Sequence, residues 1–182
     1  IRRLKAELAR TQARIEELQA SADTDFLLDI PNRRGFEREL HRAIAYIKRY
    51  RAGGALIVLD VDRLKPINDA FGHAAGDQVL KAIVATLLKQ VRSSDVVGRL
   101  GGDEFALLLP DASEGEAVQV AERIIRAVAQ IPFRYEQQNL RLTTSLGIAL
   151  YPRDGANAEE LIAHADTAMY QAKEAGKNAW RL

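Results

Sequence analysis

The sequence predicts a mixed β-sheet with helices packed against it, α/β or α+β in class, behind a separate N-terminal helix. Three observations carry that prediction. A heptad-like seam is confined to the start of the chain, short apolar runs then alternate with wide helical stripes, and two strand-like runs flank a Gly-Gly turn. At 182 residues the chain can close one full core and still carry an extension.

Taken in order, Ile1, Leu4, Leu8, Thr11, Ile15, Leu18 and Ala22 alternate spacings of three and four, with charged residues between them. This is an a/d seam, about the shortest that supports a coiled coil. The alternative is an amphipathic helix that packs on its own domain. The polar stretch Ser21-Ala22-Asp23-Thr24-Asp25 reads as a break and favours a dimerising stalk over residues 1–22, with the globular part over 23–182. Phe36, Leu40, Ala43, Ile44 and Ile47 share a helical face, and Ala55–Val61 is a short apolar run typical of a buried strand. Val79, Leu80, Ile83, Val84, Leu87, Leu88 and Val91 form a wide helical stripe. The runs Asp95–Leu100 and Glu104–Leu109 read as a hairpin across the two glycines. A helix is expected near Glu114–Gln130, a strand at Leu142–Leu150 and a helix near Ala158–Glu174 stopped by Gly176, with a last short strand within Asn178–Leu182.

Composition excludes several functions. The 26 basic and 25 acidic side chains leave a net charge of +1, so any affinity for phosphate must be local, and no nucleic-acid partner is expected. Trp180 and the tyrosines form no base-stacking stripe. The absence of cysteine excludes a disulfide scaffold and a thiolate metal site. No apolar run approaches the roughly 18 residues of a membrane span. His41, His73 and His164 share no metal-ligand spacing. Because the chain begins at Ile1, it reads as a fragment with a sensory region upstream. A cytoplasmic catalytic part is expected, attached to a membrane only through such a region.

The chemistry concentrates in acids and glycines. Asp60 and Asp62 close the first apolar strand, where ligands of such sheets usually bind. Residues 99–105, Arg-Leu-Gly-Gly-Asp-Glu-Phe, set two glycines before two carboxylates. The glycines allow close approach to phosphate oxygens, and the acids suit a hard divalent cation. If Asp60 and Asp103 converge, their repulsion calls for a cation between them; solvated turn acids are the bland alternative. Lys65 and nearby backbone amides can take phosphate charge. Asn68 and Asp77 match in part the N1–H and N2–H₂ donors and the O6 acceptor of guanine. Adenine would set an acceptor against the carboxylate, a mismatch of about 1–3 kcal/mol. Turn formation and helix capping are the plainer reading of both.

Together these residues resemble the GGDEF family, the diguanylate cyclases, from about Asp25 to Trp180. The matching stretches are Ile30–Arg34, Asp60-Val61-Asp62, Lys65 with Ile67-Asn68-Asp69, and Gly72-His73 with Gly76-Asp77. They continue with Arg99 and Gly101–Phe105, Ser145-Leu146-Gly147, Ala165-Asp166, Tyr170–Lys173, Gly176 and Asn178. The resemblance implies a palm-like central sheet surrounded by helices. It implies condensation of two GTP molecules into cyclic di-GMP with release of two pyrophosphates, across a homodimer of half-sites. By similarity, Asp60, the Val61 carbonyl, Asp103 and Glu104 would hold one or two Mg²⁺ (Mn²⁺ as the alternative ion). Asp103 and Glu104 would be catalytic, Glu104 being a candidate proton acceptor. Asn68 and Asp77 would hold guanine. Lys65, the backbone at Arg63 and Leu64, Lys173 and Lys177 would bind the β- and γ-phosphates, and Gly101-Gly102 would lie against the α-phosphate. Arg92 and Asp95 match the family's RxxD product-inhibition site, with Arg123 completing it from another domain; a surface salt bridge is the alternative.

Four positions depart from the family pattern: Leu28-Asp29 for the usual Thr-Gly, Leu64 for a common Phe, Pro66 beside Lys65, and Lys177 for Arg. Weaker GTP binding is expected from them, since lysine lacks the bidentate fork of arginine. A non-catalytic receptor for cyclic di-GMP or GTP is the competing function. It is disfavoured by the complete Gly-Gly-Asp-Glu-Phe motif beside Asp60, Asn68 and Asp77.

Overall fold

The computed structural model of the protein describes residues 2–182, with the side chains of residues 2 and 19–21 left out; Ile1 of the predicted seam lies outside the described residues. Helix α1 spans Arg2–Asp23. Residues 3–18 are exposed throughout, and Leu4, Leu8, Ile15 and Leu18 are each at least half exposed. The seam is therefore not covered by the chain's own domain. The helix ends at Asp23, inside the polar stretch expected to break it. That residue is buried, its carboxylate paired with Arg34 (3.1 Å) and Arg38, and its carbonyl accepts the Asn32 amide at 2.9 Å. These bonds satisfy the helix end from outside.

Among the described residues the centre is a five-stranded sheet in the order β2-β3-β1-β6-β7. Strand β1 (Gly54–Val61) lies in the middle, antiparallel to β3 (Glu104–Pro110) and to β6 (Thr144–Tyr151). Strand β2 (Val96–Arg99) closes the predicted hairpin with β3, and β7 (Trp180–Arg181) joins β6 in parallel. Ile57 and Leu59 face a core completed by α4 (His73–Gln90) and α5 (Glu114–Ala129). Leu56 and Val58 face the opposite core, built with α2 (Arg33–Tyr50) and α6 (Ala158–Glu174). Both faces of β1 are covered, which is why the strand is apolar without alternation.

Two elements were not anticipated. Residues 64–71 form a short helix, α3 (Leu64–Phe71), entered through Arg63 in the left-handed region. Pro66 falls in its first turn, where a backbone N–H has no intrahelical partner to lose. A small hairpin, β4 (Phe133–Tyr135) with β5 (Gln138–Leu140), turns on Glu136 and Gln137, both at positive φ. Strand β6 also begins later than predicted. Leu142 is buried in the core, and Thr143 is engaged by Asp62, its carbonyl taking the Asp62 amide at 2.9 Å.

Candidate active site

The acids at the ends of β1 and β3 meet because the two strands pair in register, with Asp60 opposite Glu104. The Val61 amide donates to the Asp103 carbonyl at 3.0 Å, and the Leu100 amide to that of Glu104 at 2.9 Å, closing the glycine turn against β1. Asp60 is buried, and its carboxyl is raised from an ordinary 3.8 to about 6. Burial is the main cause; the charges of Asp103 and Glu104 add to it, and the Lys173 ammonium opposes it. Glu104 is raised as well, first by burial and then by Asp166 and Asp103.

Asp60 Oδ1 accepts no well-aligned hydrogen bond, yet the Lys173 Nζ lies 2.8 Å away. Lys173, expected at the phosphates, is thus the counter-ion of Asp60 in this structure. Helix α6 can bring it there because Gly147 of β6 has no side chain: a Cβ would sit 1.8 Å from the Ala165 carbonyl oxygen. The acids fit a divalent cation. A buried carboxylate crowded by the charges of Asp103 and Glu104 favours one, at the oxygen that the Lys173 ammonium faces in this structure. Among the described residues no three acidic or histidine side chains form a closed cage. An ion at Asp60 would complete its shell with phosphate oxygens and water, as Mg²⁺ usually does.

Beside the acids lies a cleft of about 290 Å³ lined by Leu64, Lys65, Asn68, Asp77, Gly102 and Asp103, together with His73, Gly76, Leu80 and Arg99. Asn68 Oδ1 is buried without a partner. Gly76 makes room for it, since a Cβ there would lie 1.9 Å from that oxygen. Asn68 and Asp77 therefore reach one cleft from α3 and α4. Arg63, Gly101, Lys173 and Lys177 do not line it.

Two further positions beside the acids carry no assigned role in the sequence analysis. Arg99 donates to the carbonyls of Gly101 (2.9 Å) and Gly102 (2.7 Å) and to Asp25 Oδ2 (3.1 Å). Asp25 in turn holds the turn after α1 by accepting the Leu27 and Leu28 amides, both at 3.0 Å. Asp62, two residues beyond Asp60, is buried and turned away from the acids to accept from Thr143 and Ser145.

Residues 22–179 match the family described as "Diguanylate cyclase, GGDEF domain". The chain belongs to the GGDEF family. It is 43% identical over 182 residues to diguanylate cyclase TpbB of Pseudomonas aeruginosa, and 41% over 166 residues to diguanylate cyclase DgcP of the same species. Those alignments cover 97% and 90% of this chain but 42% and 24% of the relatives, so it spans less than half of either. The solved GGDEF domain of TpbB superposes with a TM-score of 0.83 at 43% identity, covering 87% of this chain and 93% of that one. The coiled coil and GGDEF domain of DgcB from Caulobacter crescentus, solved in complex with c-di-GMP, gives 0.86 at 29% identity, over 97% and 94%.

Within this GGDEF domain the departure at Asp29 has a backbone explanation. Its φ is +53°, a conformation suited to the family's glycine and tolerated by aspartate. Lys177 likewise takes a positive φ, of 65°. A second, smaller cleft of about 70 Å³ is lined by Arg92, Asp95, Glu116 and Arg123. The Arg92 amide donates to Asp95 Oδ2 at 2.7 Å, the Arg92 guanidinium lies 3.6 Å from Glu116, and Arg123 donates to the Gln90 carbonyl at 2.7 Å. Arg123 lines the cleft of its own chain from α5, which packs beside the end of α4; the site it is expected to complete is that of another domain.

Proposed function

We propose that this chain is the catalytic domain of a diguanylate cyclase, joining two GTP molecules into cyclic di-GMP with release of two pyrophosphates. One observation carries the reading: an intact Gly101–Phe105 hairpin meets buried Asp60 beside a cleft lined by Lys65, Asn68 and Asp77. Asn68 and Asp77 bind the guanine edge, Asp77 accepting from its N–H donors. Lys65, the backbone at Arg63 and Leu64, and Lys177 neutralise the β- and γ-phosphates, joined by Lys173 once it leaves Asp60. Asp60, the Val61 carbonyl, Asp103 and Glu104 would hold one or two Mg²⁺, which would stabilise charge on the α-phosphoryl group and the leaving pyrophosphate. Glu104 is the candidate acceptor of the 3′-hydroxyl proton.

Each chain supplies half a site, so two copies must meet. The exposed seam of α1 suits a parallel pairing that raises their effective concentration and links output to an upstream sensory region. Residues 1–22 serve as that stalk and 23–182 as the catalytic part. Product inhibition is assigned to the Arg92–Asp95 cleft, completed by Arg123 of another domain.

The test is incubation of the purified dimer with Mg²⁺ and GTP, read by chromatography. Cyclic di-GMP should appear, and Arg92→Ala should raise its final yield by relieving inhibition. The cleft at Arg92 also supports a receptor reading. Binding of cyclic di-GMP, with no turnover by either form, would establish that reading instead.

A further inference from the structure

We propose that Asp62 is a positioning residue that sets the place of Lys177 and hence of the triphosphate, rather than a second metal ligand; this rests on the diguanylate cyclase reading. A D-x-D pair at a strand end invites the idea that both acids bind one cation. The geometry separates them. Asp60 faces Asp103, Glu104 and Lys173. Asp62, only 4% exposed, spends its carboxylate on three protein donors. Ser145 Oγ donates to Oδ1 at 2.8 Å, while Thr143 Oγ1 at 2.8 Å and the Asn178 amide at 3.1 Å donate to Oδ2.

Those donors come from two segments, and the first is held to the end of β1 by a further buried bond, Thr144 Oγ1 donating to the Asp60 carbonyl at 2.9 Å. Thr143 and Ser145 begin β6, and Asn178 follows α6. Between Lys173 and Asn178 the chain reverses through Gly176, Lys177 and Asn178, all at positive φ. The Gly176 amide donates to the Lys173 carbonyl at 3.3 Å and the Lys177 amide to that of Ala172 at 3.2 Å. The Leu146 amide donates to the Ala179 carbonyl at 2.9 Å. Two consecutive non-glycine residues in the left-handed region persist only where surrounding bonds dictate them. The Asp62–Asn178 bond lies at that point. It fixes the backbone of Lys177 against the strand that bears Asp60, so the phosphate-facing lysine and the acid site share one frame. A mis-set anchor would weaken the hold on β- and γ-phosphates and leave the guanine contacts at Asn68 and Asp77 untouched.

The experiment compares Asp62→Asn with the wild-type chain by calorimetry, using 3′-deoxy-GTP, which cannot condense, and GMP. The asparagine keeps the shape but leaves one acceptor oxygen where three donors converge on two. Expected is a loss of about tenfold or more in 3′-deoxy-GTP affinity, with GMP affinity changed by less than about twofold. Hydrogen exchange at the Asn178 amide should accelerate without nucleotide. Lys177→Met should weaken 3′-deoxy-GTP binding, and adding Asp62→Asn to it should cost little more. Thr143→Val, which removes one donor and keeps the carboxylate, should show the same pattern more weakly if Asp62→Asn fails to fold. Equal losses for both nucleotides, losses at 62 and 177 that multiply, or unchanged binding in both Asp62→Asn and Thr143→Val would overturn the proposal. A wild-type chain that binds 3′-deoxy-GTP no better than GMP would instead overturn the functional reading beneath it.

Discussion

Lys173 Nζ stands 2.8 Å from Asp60 Oδ1, so a side chain from the last turn of α6 neutralises an acid at the end of β1. The pairing is partial compensation, because the Asp60 carboxyl still titrates near 6 rather than 3.8. A carboxyl raised in the fold favours the protonated native state. Its stabilising effect is complete below the unfolded value and is lost as pH rises through about 6. Asp60→Asn removes that penalty and should raise stability at pH 8 by at most about 3 kcal/mol, while abolishing turnover. Lys173→Met should do the reverse at neutral pH, lowering stability by leaving the acid without its counter-ion. The deficit should fade as pH falls below 6. Denaturant melts of the three proteins between pH 4 and 8 check both signs. Mn²⁺ affinity in the presence of nucleotide should also rise with pH through this range, and less steeply in Asp60→Asn, where Glu104 and the phosphates still titrate.

Arg99 ties the glycine turn to the root of the stalk through the Gly101 and Gly102 carbonyls and Asp25. Without its guanidinium the turn keeps its backbone bonds to Glu104 but loses its brace. Arg99→Ala should therefore cut turnover by about 10- to 100-fold, the cost of misplacing a reacting group by roughly an ångström. Arg99→Lys should recover little, since one ammonium cannot span three acceptors. Steady-state rates, together with amide exchange at Gly101 and Gly102, separate this outcome from general unfolding.

What could be read from residues alone was whatever neighbouring sequence dictates. Strand β1 was legible because burial on both faces makes it apolar throughout, and the β2–β3 hairpin because two glycines interrupt two strand-like runs. The approach of Asp60 to Asp103 and Glu104 was inferable, since both lie at strand ends of one sheet. The pairing of Lys173 with Asp60 was not, because it depends on how closely α6 can lie on β6, which Gly147 controls. Asp62 was legible as an acid but not as an anchor, its three donors lying more than 80 positions away. The β4–β5 hairpin escaped notice because Glu136 and Gln137 take positive φ without a glycine or asparagine to mark the turn.

Gly76 offers a direct test of the guanine assignment. A methyl group there would lie 1.9 Å from Asn68 Oδ1, and that end of a flexible side chain can rotate away. Gly76→Ala should then cost little stability while weakening GTP binding by about tenfold, through loss of one hydrogen bond to the base. In an Asn68→Ala background the same substitution should have almost no effect. Calorimetry on the four combinations measures that coupling directly; additive losses would remove Asn68 from the base contact.

The stalk gives the last prediction. Residues 3–18 touch nothing else in the chain closely enough to be buried, so a charge placed in the seam should leave the domain's own melting unchanged. In a pair of helices the same charge would sit between apolar side chains and disfavour association. Ile15→Glu should shift the chain from dimer to monomer in sedimentation velocity. If each copy supplies half of the reacting pair, turnover per chain should then fall as the protein is diluted, whereas the wild-type rate per chain stays constant over the same range. A variant that sediments as a monomer yet keeps a concentration-independent rate would show that the seam is not what brings two half-sites together.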